Sequence, residues 1–111
     1  MNYGDYMTFG QVIAQKRKEA ELSQKELALK IRKEDGTPIS PQYLNDIEHD
    51  RRNPPAGFLI EQFAKILDVK PDYLYYLAGD VPADLKRAHA DEDRVAEAYS
   101  AFRDRLKKGR S

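Results

Sequence analysis

The sequence predicts an all-α fold. Apolar residues recur at spacings of three and four along most of the chain, and no stretch alternates convincingly with a period of two. A serine or threonine precedes three of the apolar segments, at Thr8, Ser23 and Ser40, where its side-chain oxygen can cap a helix. The 111 residues, of which 41% are hydrophobic, are enough for one compact domain with an appendage.

The first predicted helix follows residues 1–7, which we interpret as an N-terminal arm. Thr8 and Gln11 have the spacing of a capping pair, so we expect the helix to begin here. The side chains predicted to form its buried stripe are Phe9, Val12, Ile13 and Ala20.

The second predicted helix covers residues 23–32. Ser23 and Glu26 have the spacing of a capping box, in which each side chain accepts a hydrogen bond from the other residue's backbone N–H. Residues 32–38 contain glycine and proline, which indicates a loop rather than a longer helix.

The third predicted helix covers residues 40–49, with Ser40 as its cap and Pro41 at the first position, where a missing N–H costs nothing. Leu44 and Ile47 face inward. The side chains that remain on or beside the exposed face are Gln42, Tyr43, Asn45 and Asp46. Amide and carboxylate groups can pair with the donors and acceptors of base edges in the major groove, which predicts a base-reading helix.

The fourth and fifth predicted helices cover residues 56–67 and 71–79, and a glycine ends the fifth. Their inward-facing side chains are predicted to be Leu59, Phe63, Ile66 and Leu67 in the fourth helix and Tyr73, Leu74 and Leu77 in the fifth.

The C-terminal part has a different character. Residues 80–90 are predicted to be a linker or short helix, and residues 91–111 a helix that begins with acidic and ends with basic residues, which complements its dipole. A narrow apolar stripe runs along it at spacings of four, three and four: Val95, Tyr99, Phe102 and Leu106. The stripe is typical of a helix-pairing seam, so we interpret it as a dimerisation element; the alternative is that it packs on its own domain.

The motifs SQKELA, ISPQYLNDIEHDRRNP and AGFLIEQFAKILDVKPDYLYYLAG together resemble the helix-turn-helix of Cro/cI-type phage repressors, also called the XRE family. The resemblance covers residues 8–79 and implies a five-helix, lambda-repressor-like DNA-binding domain, here with an additional C-terminal helix. It implies a transcriptional regulator, a repressor that binds double-stranded DNA as a homodimer at a near-palindromic operator. The family usually has a tight turn between the second and third helices, where this chain has residues 32–38.

The resemblance also implies roles for individual residues. Arg17 would pair with Glu48 as a structural ion pair. Asp50 stands where the family usually has glycine, at a position that often needs a left-handed backbone. Residues expected to contact phosphates are Gln24, Lys25, Arg51, Arg52 and Asn53. Separately from the resemblance, because residues 32–38 precede the DNA-facing start of the third helix, we hypothesise that Arg32 or Lys33 also reaches a flanking phosphate.

Several of these residues have a plainer interpretation. Gln24 could be an ordinary first-turn polar residue, and the basic residues of the two loops could be solvated charges. Tyr43 could pack over the sugar-phosphate backbone or only close the edge of the core. Residues 32–38 could be an inert insertion.

Composition narrows the functional classes. Nineteen basic and nineteen acidic residues cancel, so the net charge neither favours nor excludes nucleic acid. The chain has no cysteine, and its two histidines, His49 and His89, lie in different predicted segments. We therefore predict no catalytic site, metal site or cofactor.

No apolar run approaches the length needed to cross a bilayer, so we predict a cytoplasmic protein with no membrane partner. The alternative function is an antitoxin or other protein-interaction module. Such a protein would bind a protein partner through its C-terminal helix and bind DNA for autoregulation.

Overall fold

Seven α-helices make up the regular structure of residues 7–108, the part of the chain described by the computed structural model. In chain order they are α1 (Phe9–Glu19), α2 (Gln24–Lys30), α3 (Pro41–Glu48), α4 (Gly57–Leu67), α5 (Pro71–Ala78), α6 (Ala83–Lys86) and α7 (Glu92–Lys108). The predicted all-α fold is confirmed. Residues 1–6 of the predicted N-terminal arm and residues 109–111 of the predicted C-terminal helix lie outside the described part.

Side-chain caps fix where the first three helices begin. Thr8 and Ser23 each head a capping box with the residue three positions later, Gln11 and Glu26 respectively. Ser40 caps α3 through its hydroxyl oxygen, which accepts from a backbone N–H at 3.0 Å. All three caps were predicted, because the motif spacing specifies them locally.

Helix α1 lies at the centre of the domain, where it packs against α3, α4 and α5. Helix α2 packs against α3, which orients the two helices of the helix-turn-helix. The buried apolar side chains are Phe9, Val12, Ile13, Leu27, Ala28, Ile31, Ile39, Leu44, Ile47, Ile60, Phe63, Ala64, Leu67, Leu74 and Tyr75.

Two predicted core positions are wrong. Ala20 is exposed because α1 ends at Glu19 and the chain turns away from the core there. In α5 the buried tyrosine is Tyr75, whereas Tyr73 is 43% exposed. The spacing of the α5 tyrosines fits either choice, and burial of Tyr75 lets its hydroxyl donate to the Glu61 carboxylate at 2.8 Å.

The connection between α2 and α3 is a small closed hairpin. Helix α2 ends at Lys30 rather than at residue 32, because the next residue, Ile31, has an extended backbone. The N–H of Ile39 donates to the Ile31 carbonyl at 2.9 Å, and both side chains are buried. Gly36 has φ of 90°, which suits the left-handed position of a three-residue hairpin loop. The insertion therefore leaves its two ends joined, as a short turn would.

Gln62 of α4 anchors this hairpin. Its side-chain oxygen accepts from the Arg32 N–H at 2.7 Å, and its side-chain nitrogen donates to the Arg32 carbonyl at 2.7 Å. The amide thus pairs with the backbone as a neighbouring strand would. The hairpin is held to the domain at its base.

Asp50 joins the end of α3 to the start of α1. Its backbone is left-handed, with φ of 56°. Its carboxylate accepts from the Thr8 hydroxyl at 2.6 Å and from the Gly10 N–H at 3.1 Å. A Cβ at Gly10 would collide with the Ile47 carbonyl oxygen, so the two helices can meet this closely only at a glycine.

Helix α7 extends from the domain with all its side chains exposed. The Phe102 ring meets the Tyr76 ring of α5 edge to face, with 6.1 Å between centroids. The four side chains of the predicted seam, Val95, Tyr99, Phe102 and Leu106, nevertheless remain 41–48% exposed. Contact with the domain therefore leaves most of the apolar stripe uncovered.

We predict that Tyr75 makes the stability of the domain sensitive to alkali. Burial raises the pKa of Tyr75 from 10.0 to about 12, and the hydrogen bond to Glu61 adds to the shift. The contribution of Tyr75 to the free energy of unfolding should therefore be constant below its ordinary pKa of 10.0. It should fall as the pH rises from there towards about 12. Urea unfolding of the wild type and Tyr75→Phe across this range should show a steeper loss in the wild type.

Tyr73→Phe is the matched control, because Tyr73 is an exposed tyrosine of the same helix. This variant should retain the wild-type pH dependence. Parallel losses of stability in the wild type and Tyr75→Phe would contradict the prediction.

Candidate nucleic-acid interface

The exposed face of α3 carries a hydrogen-bonded pair of polar side chains. Gln42 and Asp46 lie one helical turn apart, and the Gln42 amide nitrogen donates to the Asp46 Oδ1 at 3.0 Å. Both are therefore held on the face that the sequence predicts to read bases.

Two arginines from the loop after α3 close over the same carboxylate. The Arg51 guanidinium lies 3.2 Å from Oδ1 of Asp46, and the Arg52 guanidinium lies 3.8 Å from Oδ2. The arginine side chains are 56% and 50% exposed, so they remain accessible to a ligand. Predicted base-reading and phosphate-contacting residues thus meet at one point of the surface.

Tyr43 lies at the edge of this surface. Its ring is half-buried against the core, and the Arg52 guanidinium lies 4.7 Å from the ring centroid. This distance is within the range of a cation–π contact. Tyr43 therefore closes the edge of the core and also orients Arg52.

A partly buried network lies beneath α3 and fixes its position. Arg17 donates to Glu48 through two nitrogens, at 2.6 and 3.0 Å, and through a third nitrogen to the Leu22 carbonyl at 2.8 Å. Gln24 donates to Glu48 at 2.8 Å and to the Asn45 side chain at 3.1 Å. The Glu48 side chain is only 3% exposed, so this network joins α1, α2 and α3 in a region of reduced screening.

The other predicted phosphate-contacting residues occupy two places. Lys25 is exposed on the first turn of α2, and Asn53 is exposed in the loop after α3. Arg32 and Lys33 stand on the hairpin, where the Arg32 guanidinium donates to the Gly36 carbonyl at 3.1 Å.

The Thr37 N–H and hydroxyl donate to Asp35 and lower the pKa of its carboxyl, so this acid stabilises the hairpin turn in its charged form.

Three residues make contacts near this surface that the sequence did not predict. Asp46 was predicted to read bases but not to hold arginines, since its partners follow the end of the helix, where helical spacing no longer applies. Asp50 was predicted to have a left-handed backbone, but not to accept from Thr8. Gln62 was not predicted to bind the hairpin, because that pairing depends on the tertiary fold.

Two negative findings apply to residues 7–108. No group of histidine, aspartate and glutamate side chains is arranged to hold a metal ion in this range. Within it, no helix has both the length and the apolar character needed to span a membrane.

A capped, exposed α3 braced against α2 defines a helix-turn-helix DNA-binding protein. A family model described as helix-turn-helix matches residues 13–74, more than half of the chain. The chain therefore belongs to the XRE-type helix-turn-helix family and is a DNA-binding transcription regulator, a class that is not enzymatic.

Among solved structures, a chain of the SinR protein/SinI protein complex is 29% identical, with a TM-score of 0.50. The match covers 94% of this chain and 84% of that one. This similarity extends beyond the residues matched by the family model and includes the C-terminal part. Comparison with curated protein sequences gave no significant match.

We predict that the Arg17–Glu48 pair is required for the stability of the domain. Glu48→Ala leaves the Arg17 guanidinium, whose side chain is 11% exposed, without its carboxylate partner. Loss of one member of a buried pair costs about 3–5 kcal/mol. Urea unfolding should show a loss of this size.

Glu19→Ala provides the control, because Glu19 pairs with Lys16 at the surface, where the side chains are 54% and 39% exposed. Exposed pairs of this kind contribute about 0–1 kcal/mol. Equal, small losses in the two variants would show that the Arg17–Glu48 pair is not needed to hold the helices together.

Proposed function

We propose that the protein is a sequence-specific repressor that binds a near-palindromic operator as a homodimer, with α3 in successive major grooves. The observation that carries the proposal is the cluster formed by Gln42, Asp46, Arg51 and Arg52 on the accessible face of α3. Helix-turn-helix proteins place base-reading side chains at the start of this helix and use the surrounding residues to position it on the backbone. A regulator of this kind acts where the DNA is, so the proposal includes a cytoplasmic location.

The base-reading role is assigned to the polar side chains of α3. Gln42 is exposed and stands in the first turn, where a glutamine can pair with N6 and N7 of adenine. Asp46 follows one turn later, and Asn45 lies at the border, where its side-chain oxygen accepts from Gln24. Tyr43, beneath Arg52, borders the same groove-facing surface.

The phosphate-positioning role is assigned to the residues around α3. Arg51, Arg52 and Asn53 follow its C-terminal end, and Lys25 begins α2 beside it. The Gln24 side-chain nitrogen already donates to Glu48 and Asn45, so a phosphate contact from Gln24 falls to its backbone N–H at the start of α2. On the hairpin, Lys33 is a stronger candidate than Arg32, because the Arg32 guanidinium already donates to a backbone carbonyl. We therefore expect Lys33 to be the hairpin residue that reaches a flanking phosphate.

We predict that Gln42 and the arginines affect binding in different ways. Selection from a random DNA pool should yield the operator, and Gln42→Ala should weaken it by about 1–3 kcal/mol with little effect on other sequences. Arg51→Ala or Arg52→Ala should weaken operator binding and reduce the magnitude of its salt slope by about 0.9 for each lost phosphate contact, whereas Gln42→Ala should leave that slope unchanged.

Gln15→Ala, which changes an exposed glutamine of α1, is the matched control for Gln42→Ala. It should leave both affinities unchanged. If Gln42→Ala weakens all sequences equally, the assignment of Gln42 to base reading is wrong. Failure of the wild type to enrich any sequence would contradict the proposed function as a whole.

We assign the interface between the two copies of the homodimer to the apolar stripe of α7. Val95, Tyr99, Phe102 and Leu106 follow the spacing of a pairing helix and are all substantially exposed. Helix α7 has 17 residues, enough for two heptads, and exposes no other large hydrophobic side chains. Covering the stripe with the same stripe from a partner would remove these side chains from water.

The charges of α7 favour an antiparallel pair. Glu92 and Asp93 stand in its first turn, and Arg105, Lys107 and Lys108 stand in its last. In an antiparallel pair each acidic end lies beside a basic end, whereas a parallel pair would place like charges together. The stripe is also complementary in this orientation, since Val95 would face Leu106 of the partner subunit and Tyr99 would face Phe102 of the partner subunit.

We predict that single cysteines will reveal this orientation, because the chain has no cysteine of its own. Val95→Cys and Leu106→Cys chains carrying tags of different size should form a mixed disulfide when they are oxidised together. Sedimentation should show a dimer for the wild type and a folded monomer for Phe102→Asp, whose added carboxylate cannot be buried in the seam.

Cysteine at the exposed, polar Ser100 is the control and should cross-link more slowly. Rapid disulfides between two Val95→Cys chains would indicate a parallel pair. A Phe102→Asp protein that still sediments as a dimer would show that the subunits associate elsewhere.

A second candidate function is a protein-interaction module, such as an antitoxin with autoregulatory DNA binding. The exposed stripe of α7 favours it, as does the similarity to SinR, which is found in a complex with the SinI protein. In this case α7 would bind a different protein instead of a second copy. A wild-type monomer at all concentrations would favour this candidate over the homodimer.

A further inference from the structure

The Asp46 carboxylate is the common partner of three side chains that the proposed function assigns to DNA. Its Oδ1 accepts from Gln42 at 3.0 Å and from Arg51 at 3.2 Å, and its Oδ2 faces Arg52 at 3.8 Å. The Asp46 side chain is 20% exposed, so part of it is accessible to a ligand. In the free protein both arginines thus lie beside the same carboxylate.

This arrangement sets the orientation of the Gln42 amide. An ionised carboxylate can only accept hydrogen bonds, so the Gln42 NH₂ group must be the end that faces Asp46. The amide oxygen and the second N–H are then available to a base. Together they offer the acceptor and donor that match N6 and N7 of adenine.

The same carboxylate works against contact with the DNA backbone. An arginine that moves to a phosphate leaves Asp46, whose charge then repels the phosphates unless another donor replaces the arginine. In the major groove only adenine N6 and cytosine N4 are amino donors. Every base pair carries one such amino group, so the base nearest Asp46 decides the outcome: adenine or cytosine there can restore the lost hydrogen bond, whereas guanine or thymine presents a carbonyl oxygen and cannot.

We propose that Asp46 is a specificity-determining residue that makes release of Arg51 and Arg52 to phosphates depend on a base amino group in the major groove. The inference rests on the proposed function and deepens it. On DNA that has no amino group at this position, an arginine can reach a phosphate only by leaving the Asp46 carboxylate without a partner. Binding to such DNA is therefore weak. On the operator, the amino group of adenine or cytosine takes their place on Asp46, while Gln42 pairs with the adjoining base.

The test compares the wild type with Asp46→Asn on the selected operator and on a random-sequence duplex, at several salt concentrations. Because Asn does not repel phosphate, Asp46→Asn should bind the random duplex more tightly. Its salt slope there should be larger in magnitude by up to about 0.9 for each arginine released. The ratio of operator to random affinity should fall by about five-fold to more than a hundred-fold, the range for one lost base contact.

Operators varied at each position of the half-site identify the base. Asp46→Asn should lose discrimination at one position, and the base preferred there by the wild type should be adenine or cytosine. Asp104→Asn, which removes the same charge from an exposed site on α7, should leave the ratio and both salt slopes unchanged.

Thermal unfolding of Asp46→Asn separates this role from a structural one. Equal loss of affinity for both duplexes, an unchanged salt slope and a lower melting temperature would mean that Asp46 only supports α3, and the inference would be wrong. An unchanged affinity ratio with normal stability would also overturn it. If the wild type binds neither duplex, the proposed function fails first, whatever Asp46→Asn does.

Discussion

The hydrogen bonds of the buried Glu48 carboxylate are the interactions on which the proposed DNA-binding surface depends. Glu48 holds Arg17 of α1 and Gln24 of α2 against the last turn of α3, with only 3% of its side chain exposed. An acid in this position must keep its donors, because an unpaired buried charge is far more costly than a lost surface contact. Three helices are thereby fixed around one residue, and the exposed face of α3, which we propose reads bases, is held in position.

A chain with no net charge can have a surface that favours phosphates only through local placement. Here Arg51 and Arg52 are grouped at the end of α3, yet one acid, Asp46, faces both of them. The local excess of positive charge is therefore small in the free protein. Such a surface would restrain non-specific association and leave selectivity to the groups on α3, in agreement with the sequence-specific function proposed above.

The sequence predicted most of the fold because its strongest signals are local. The caps at Thr8, Ser23 and Ser40 and the apolar spacing of the helices depend on neighbours a few residues away. The choice of Tyr75 over Tyr73 could not be predicted, because it depends on Glu61 of another helix. The site shows the same division. The exposed residues of α3 follow from periodicity, whereas the ion pairs of Asp46 with two loop arginines depend on how the chain turns after the helix.

The hairpin between α2 and α3 shows how an insertion can enter a helix-turn-helix without changing it. Extending a loop costs little entropy, roughly 0.6 kcal/mol for each doubling of its length, but a mobile loop would not hold two helices in register. Here the register is kept by the buried pair Ile31 and Ile39, which are joined by a backbone hydrogen bond. Gln62 then fixes the base of the hairpin through Arg32, so that Lys33 is presented from an ordered support. A basic side chain held in this way loses less conformational entropy on meeting a phosphate than one on a mobile loop. The insertion can therefore extend the proposed DNA-binding surface while the core motif stays unchanged.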